Sequence, residues 1–243
     1  MGVTGLTVEP GLLRVAAAFP DPPFDVPGEP PSDFDVELTQ AVARELGLRW
    51  RLVRYEGDGF EGIFEGLADG RWDAVASGAT ITGQRQRSAL FCRSYLRSGQ
   101  SLVASPGRRP GLRSTGDLVG RSLGVQRGNT SEPVARRLLA EGRVGSVETY
   151  AYHDILRALA DLEAGRLDAF MKLEPVMRWL LRDRPGLAIV QTGITDERLA
   201  IAVRLDNTPL AQAIDDAQQR LAARGVLAEL GRRWFGGATE VPG

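Results

Sequence analysis

Hydrophobic residues recur along the chain in two alternating patterns. Short apolar runs of strand length are followed by longer segments in which apolar positions repeat at helical spacing. Strands that alternate with helices in this way are typical of βαβ units built around a mostly parallel sheet. The pattern therefore predicts an α/β protein.

The first half of the chain predicts a βαβαβ unit. Ser32 and Asp33 can cap its first helix, because short polar side chains accept hydrogen bonds from the free N–H groups at a helix start. Gly47 marks the end of that helix. The predicted elements are a strand over 12–18, the helix between Asp33 and Gly47, a strand over 49–54, a helical segment over 60–70 and a strand over 73–77.

The same order of elements recurs in the second half. Its predicted elements are a strand over 122–126, a helix over 131–140, a strand near Val147, a helix over 154–164 and a strand over 168–171. Each half also contains the motif G-R-x-D-A, at 70–74 and at 165–169, where a helix gives way to a strand. The repeated order and the shared motif predict two similar α/β lobes.

The last part of the chain is predicted to return to the first lobe, because too few residues follow Thr195 to form a third one. A strand-like run, LAIAV, precedes a helix that Thr208 caps and Pro209 begins. Ligands of such sheets bind at the carboxyl ends of the strands, which predicts a ligand cleft between the lobes. We predict one lobe over 8–98 plus 196–243, the other over 103–192, and hinge crossings over 97–103 and 193–199.

Composition excludes several classes of protein. Of the 243 residues, 43% are hydrophobic and 25% are charged, and the net charge is −1. These values exclude a disordered chain and lack the basic excess of a dedicated nucleic-acid-binding protein. A single cysteine, Cys92, cannot form an internal disulfide, and a single histidine, His153, cannot build a metal cluster. We therefore expect no metal site and no cofactor.

Several sequence motifs follow one another in a specific order. They are RVAAAFPDPPF, FDVELTQAVARELG, DAVASGATITGQRQRSALFCRSYLRSGQSLV, LGVQRGNTSE, GRLDAFMKLEP and GRRWFG. In this order they resemble the type II periplasmic solute-binding proteins, in the family 3 branch that serves ABC importers of polar amino acids. The resemblance implies two βαβ-type lobes that close on a small carboxylate-bearing ligand, such as an amino acid.

The resemblance also implies the partners and the location of the protein. The expected partners are the small-molecule ligand and the membrane subunits of an ABC transporter, with no nucleic acid, and the expected state is a monomer. The expected location is the periplasm or the cell exterior. The first residues lack the basic and apolar regions of a secretory signal, and we expect such a signal to have been removed.

The candidate ligand-binding residues of the first lobe follow its third strand. Ser77, Gly78 and Thr80 offer hydroxyl groups and backbone donors, and Arg85 can form a forked pair with a carboxylate. The resemblance implies that Thr80 and Arg85 hold the α-carboxylate of the ligand. It also implies that Tyr55 stacks on the ligand.

The candidate residues of the second lobe lie at a helix start. Asn129 and Thr130 come directly before the predicted helix at 131, where free N–H groups and the helix dipole favour an anion. We expect both residues to contact the ligand.

One departure from the family pattern bears on the ligand class. Leu173 stands where the amino-acid-binding members usually carry the aspartate that receives the ligand ammonium. Either Asp21 or Glu174 replaces that aspartate, or the ligand is a carboxylate without a free α-amine. If Lys172 faces the cleft, it favours a second anionic group on the ligand.

An enzyme on the same fold is the main alternative. The chain also resembles cyclohexadienyl dehydratases, in which a carboxylic acid protonates a leaving hydroxyl; Glu174 would be that acid, and Lys172 or Arg85 would hold the substrate carboxylates. No complete set of acid, base and oriented donor can be assigned from the sequence. We therefore favour a binding protein with no catalytic residues.

Overall fold

The protein folds into two compact α/β units. The computed structural model describes residues 5–25 and 32–236, so residues 1–4, 26–31 and 237–243 lie outside it. Unit 1 consists of the described residues up to Gly57, of Glu61–Arg97 and of the described residues from Glu197 onward; unit 2 consists of Asp58–Phe60 and Ser98–Asp196. The predicted α/β fold with two lobes is confirmed.

Asp58–Phe60, Ser98 and Asp196 belong to unit 2, although the sequence assigns them to the range of the first lobe. Within the described part of the chain, no helix is long and apolar enough to cross a membrane.

Strands and helices alternate along both units. The strands are β1 (Leu12–Ala18), β2 (Arg49–Tyr55), β3 (Ala74–Val75), β4 (Ala89–Ser98), β5 (Gln100–Ala104), β6 (Ser122–Gln126), β7 (Ser146–Tyr150), β8 (Ala169–Leu173), β9 (Ala188–Gln191) and β10 (Glu197–Arg204). The helices are α1 (Phe34–Glu45), α2 (Glu65–Ala68), α3 (Ser131–Ala140), α4 (Ile155–Ala164), α5 (Glu174–Leu180), α6 (Thr208–Ala223) and α7 (Val226–Phe235).

The sheets of the two units share one topology. The strand order is β2-β1-β3-β10-β4 in unit 1 and β7-β6-β8-β5-β9 in unit 2. In each sheet the first three strands are parallel and the fourth is antiparallel to the third. The sheets are therefore mixed, and the carboxyl ends of the parallel strands meet at one edge of each sheet.

Local chemistry explains where two helices begin and why a third predicted helix is mostly a 3₁₀ turn. Asp33 caps α1, since its carboxylate accepts a hydrogen bond from the Val36 N–H at 2.8 Å. The predicted cap Thr208 is wrong by one residue, because the Asn207 side chain accepts from the Leu210 N–H at 3.2 Å. The helical segment after Phe60 is mostly a 3₁₀ turn, with α2 adding a single turn. Its glycines weaken the α-helix.

The repeated motif G-R-x-D-A performs the same structural task in both units. Asp73 accepts from the backbone N–H of Arg14 in β1 at 2.9 Å, and Asp168 accepts from the backbone N–H of Ser122 at the start of β6 at 2.8 Å. Each aspartate also pairs with an arginine side chain, Arg14 in unit 1 and Arg109 in unit 2. The motif therefore ties each helix-to-strand junction to the first strand of its sheet.

Replacing Asp73 with alanine is expected to lower the free energy of unfolding by about 3–5 kcal/mol. Its carboxylate is 1% exposed and pairs with Arg14 at 3.1 Å, so the substitution leaves a nearly buried cation without its partner. Urea denaturation measures the loss. The matched control is Asp69→Ala, whose side chain is 63% exposed and whose loss is expected to stay within about 0.5 kcal/mol. Equal losses in the two variants would contradict the proposed role of the motif.

Candidate functional site

Arg85 lies in the short turn after β3 and is held from several sides. The residue is 2% exposed. Its Nε and Nη2 atoms each lie 2.9 Å from a carboxylate oxygen of Glu61, and Nη1 donates to the carbonyl of Thr80 at 3.0 Å. The ring of Phe64 lies 5.3 Å from the guanidinium carbon. These contacts fix the plane of the guanidinium group, and a fixed plane favours bidentate carboxylate recognition.

Thr80 is buried beside Arg85 in the same unit. Its hydroxyl donates to the carboxylate of Glu197 at 2.6 Å, and its backbone forms a bridge with Leu199 of β10. The carbonyl of Thr80 orients Arg85, so the two residues that were predicted to act together are in direct contact.

Ser77 and Gly78 face the interior of unit 1. The Ser77 hydroxyl accepts from the Ala18 N–H at 3.0 Å and also contacts the carboxylate of Asp25. Gly78 has φ +57, and a Cβ at this position would lie 2.9 Å from the ring of Phe24. Both residues therefore position the segment that leads to Thr80.

Four carboxylates are buried at this end of unit 1: Asp21, Asp25, Asp33 and Asp35. Burial raises the pKa of Asp35 to about 8, and the hydrogen bonds from the Gly78 N–H at 2.7 Å and the Tyr95 hydroxyl at 3.0 Å oppose the rise. Burial, and after it the charge of Asp35, also raises the pKa of Asp25 well above its usual value. Within the described residues, no ion pair joins Asp25 or Asp35 to a cation.

Asp21 is the acid of this group that the sequence analysis selected. Its backbone exchanges two hydrogen bonds with Asp25, from the Asp21 N–H at 3.0 Å and from the Asp25 N–H at 3.1 Å. The side chain is buried in unit 1, at the carboxyl end of β1. A ligand role for Asp21 stays a prediction.

Tyr55 packs within unit 1. Its ring meets that of Trp72 edge-on, with 6.3 Å between the centroids. A Cβ at Gly57 or at Gly62 would lie 2.0 or 2.2 Å from the Tyr55 hydroxyl oxygen, so both glycines make room for this ring. The proposed stacking of Tyr55 on a ligand stays a prediction.

The start of α3 in unit 2 carries a network of amide and hydroxyl groups. The Thr130 hydroxyl accepts from the Gln100 side chain at 2.9 Å and does not cap the helix. The Asn129 side chain donates to the Gln126 side chain at 3.1 Å. The hydroxyl of Ser131 is fully buried and has no hydrogen-bond partner among the residues that the structure describes. A helix start with these donors suits an anion.

Lys172 is buried on an aromatic stack in unit 2. The residue is 2% exposed, and its Nζ atom lies 5.0 Å from the centroid of the Tyr152 ring. Tyr152 stacks in turn on Phe60, with 5.4 Å between the centroids. We call Lys172, Tyr152 and Phe60 the lysine–aromatic stack.

Tyr152 and Phe60 are not among the residues that the sequence predicted to lie together with Lys172. Phe60 reaches unit 2 because its N–H donates to the Arg127 carbonyl at 3.2 Å, and because the Asp58 carbonyl accepts from the Tyr152 N–H at 2.9 Å. One feature of the sequence could have indicated the position of Phe60. Gly57 and Gly59 come just before it, and the conformational freedom of glycine lets the chain leave unit 1 there.

Comparison with known proteins identifies the family. The sequence profile of the bacterial extracellular solute-binding proteins, family 3, matches residues 13–237. The chain belongs to this family.

Named relatives of this family 3 protein cover most of its length. A putative ABC transporter arginine-binding protein 2 of Escherichia coli K12 is 29% identical over 207 residues, which are 83% of this chain and 81% of the relative. The L-cystine-binding protein TcyJ of the same strain is 27% identical over 238 residues, 97% of this chain and 86% of the relative. An L-arginine-binding protein of Pseudomonas aeruginosa is 30% identical over 235 residues, 93% of this chain and 88% of the relative.

Solved structures of similar proteins agree with this assignment. An ancestral arginine-binding protein bound to arginine is 31% identical, with a TM-score of 0.85, 93% coverage of this chain and 99% of that one. An ancestral amino acid-binding protein described as a precursor of cyclohexadienyl dehydratase has a TM-score of 0.81 at 26% identity, with 93% and 95% coverage. The named relatives are transport binding proteins, which confirms the predicted solute-binding function over the enzyme alternative.

In this family 3 protein, Leu173 and Glu174 at the end of β8 have surroundings that differ from each other. Leu173 is 5% exposed and ends the strand. Glu174 begins α5, and its carboxylate accepts from Arg178 one turn later at 2.7 Å.

Proposed function

We propose that this protein binds an amino acid or a closely related carboxylate outside the cytoplasmic membrane and delivers it to an ABC importer. The names of its relatives support this class of ligand, since they are arginine-, cystine- and glutamine-binding proteins of transporters. The expected location is the periplasm or the cell exterior, and the expected state is a monomer whose lobes close on the ligand.

The observation that carries the proposal is the buried, oriented guanidinium group of Arg85. Glu61 holds one side of it and the Thr80 carbonyl holds another, so its donors have a defined direction before a ligand arrives. Preorganised donors bind a carboxylate without the entropic cost of ordering a long side chain. We propose that the Nη groups of Arg85 bind the ligand carboxylate, with Thr80 and the backbone near Gly78 beside it.

Unit 2 supplies the second set of contacts in this proposal. Asn129 and Thr130 stand at the start of α3, with the buried Ser131 hydroxyl next to them. Their amide and hydroxyl groups, together with the dipole of α3, favour a ligand carboxylate. Asp21, Tyr55, Leu173 and Glu174 stay candidate ligand contacts from the sequence.

Thermal denaturation against a ligand panel tests the proposed function. A ligand at about 100 times its dissociation constant adds about 2.7 kcal/mol and should raise the Tm by about 5–11 °C. The panel contains the L-amino acids, their deaminated analogues, dicarboxylates and prephenate, each near 1 mM. A rise with at least one carboxylate is expected. No rise with any member, followed by no heat of binding in calorimetry, would contradict the proposal.

A further inference from the structure

Two buried carboxylates hold the segment that leads to Thr80. The Gly78 N–H donates to the carboxylate of Asp35 at 2.7 Å, and the hydroxyl of the preceding residue, Ser77, contacts the carboxylate of Asp25. Asp25 is 0% exposed and Asp35 is 1% exposed. We call Asp25 and Asp35 the acid pair. Because its two members hold adjacent residues, the position of the segment depends on the acid pair.

Each member of the acid pair has one oxygen atom that lacks a hydrogen bond. The Oδ1 atoms of Asp25 and Asp35 are buried and have no hydrogen-bond partner among the residues that the structure describes. A negative charge on such an oxygen is unfavourable, because nothing replaces the water that it has lost. Burial therefore raises the pKa of Asp35 to about 8 and that of Asp25 well above its usual value.

Among the described residues, the groups that act most strongly on the acid pair are acidic or neutral. Asp21, after β1, and Asp33, at the start of α1, raise the pKa of both members by repulsion. From β4, the neutral hydroxyl of Tyr95 donates to the pair at 3.0 Å. From α7, the ring of Phe235 packs on the rings beside the pair, while Arg233 of the same helix pairs with glutamates of α1 and α7.

We propose that solute binding is coupled to the uptake of a proton from solvent by the acid pair, so that the protein binds its ligand more tightly at acidic than at alkaline pH. The proposal rests on the function proposed above. A ligand carboxylate beside Thr80 and Arg85 repels a negative charge on the pair. Two ionised carboxylates also repel each other, and they hold the adjacent residues Ser77 and Gly78.

Both effects make the protonated acid pair the form that binds the ligand better. By linkage, binding then raises the pKa of the pair further and takes up protons. Since the pKa of Asp35 is about 8 without ligand, the uptake is small at pH 6, where the group is already protonated, and larger at pH 8. The affinity must therefore fall as the pH rises through 8.

Isothermal titration calorimetry tests this coupling. The probes are L-arginine, L-glutamine, L-glutamate and glutarate, and the one that binds most tightly is used. Titration at pH 8 in two buffers with different heats of ionisation gives the number of protons taken up per ligand. If the ligand raises the pKa by about one unit, the wild type should take up about 0.4 proton at pH 8, and its affinity should fall about threefold from pH 6 to pH 8.5.

Asp35→Asn removes the group that titrates near pH 8, so it should lose most of the proton uptake and most of the change in affinity with pH. Asp206→Asn removes a carboxylate whose side chain is 75% exposed and should keep the wild-type uptake. If Asp35→Asn does not fold, as judged by circular dichroism, Asp25→Asn replaces it. A merely structural role of Asp35 would change the affinity without changing the proton count.

Two results would overturn the inference and leave the proposed function intact. One is a wild type that binds a probe with no uptake, or with release, of protons at pH 8. The other is equal uptake in Asp35→Asn and the wild type. Failure of all four probes to bind the wild type would instead overturn the proposed function, and the inference with it.

Discussion

Replacing Arg85 with alanine is expected to weaken binding of any carboxylate ligand by at least about 30-fold, and isothermal titration calorimetry measures this change. Losing one partner of a buried, hydrogen-bonded charge pair costs about 2–5 kcal/mol or more in affinity, which corresponds to about 30-fold to several thousandfold. The fold should survive. Glu61, which loses its partner, has a side chain that is 40% exposed and can be solvated by water.

A neighbouring arginine provides the control for this substitution. Arg87 is exposed, and its guanidinium donates only to the Gly83 carbonyl at 3.2 Å among the contacts of the described residues. Arg87→Ala should leave the affinity within about twofold of the wild type. Arg85→Lys keeps the charge but loses the forked pair of donors, so its affinity for the ligand should lie between those of Arg85→Ala and the wild type. Unchanged affinity in Arg85→Ala would remove Arg85 from the binding site.

Much of the fold could be predicted because hydrophobic periodicity reports burial directly. The bounds of β1 and α3 agree with the sequence pattern, since both begin at clear changes in polarity. The motif around Asp73 predicted the structural repeat, but the sequence did not reveal what its aspartate does. The Asp73 carboxylate accepts from a backbone N–H that lies 59 residues away in sequence. Local sequence does not contain a contact of that kind.

The candidate site could be predicted less well, because side-chain direction decides what a residue can do. Ser77 and Gly78 are predicted ligand donors, and the sequence did not reveal that their polar groups contact Ala18, Asp25 and Asp35 inside unit 1; their ligand role stays a prediction. Phe60 was assigned to a helix of the first lobe, yet its ring stacks on Tyr152 in unit 2. Both cases depend on contacts between residues far apart in the chain, which periodicity does not reveal.

The burial of Asp35 predicts an unusual dependence of stability on pH. The pKa of Asp35 is raised to about 8 in the folded protein from an ordinary value of 3.8, so between these values the folded state binds more protons than the unfolded state. The free energy of unfolding must therefore fall as the pH rises through this window. Asp25, whose pKa is also raised, acts in the same direction. The loss should reach several kcal/mol between pH 5 and pH 8.

Carboxylates with lowered pKa values do not mask this effect. Arginine and backbone donors lower the pKa of Asp168 and of Glu132, so their contribution to stability is lost at more acidic pH and is complete above about pH 5. A fall in the free energy of unfolding above pH 5 is therefore caused by the acids with raised pKa values, Asp25 and Asp35.

Asp35→Asn should remove the part of this pH dependence that comes from Asp35, leave the part that comes from the burial of Asp25, and make the protein more stable than wild type at pH 8. The asparagine oxygen can still accept from the Gly78 N–H and the Tyr95 hydroxyl, and the amide carries no charge to be desolvated. Urea denaturation at pH 5, 6.5 and 8 measures the difference. Asp206→Asn, whose side chain is 75% exposed, removes the same charge and should keep the wild-type slope. A wild-type stability that rises from pH 5 to pH 8, or equal slopes in Asp35→Asn and wild type, would show that Asp35 is ionised in the folded protein at neutral pH.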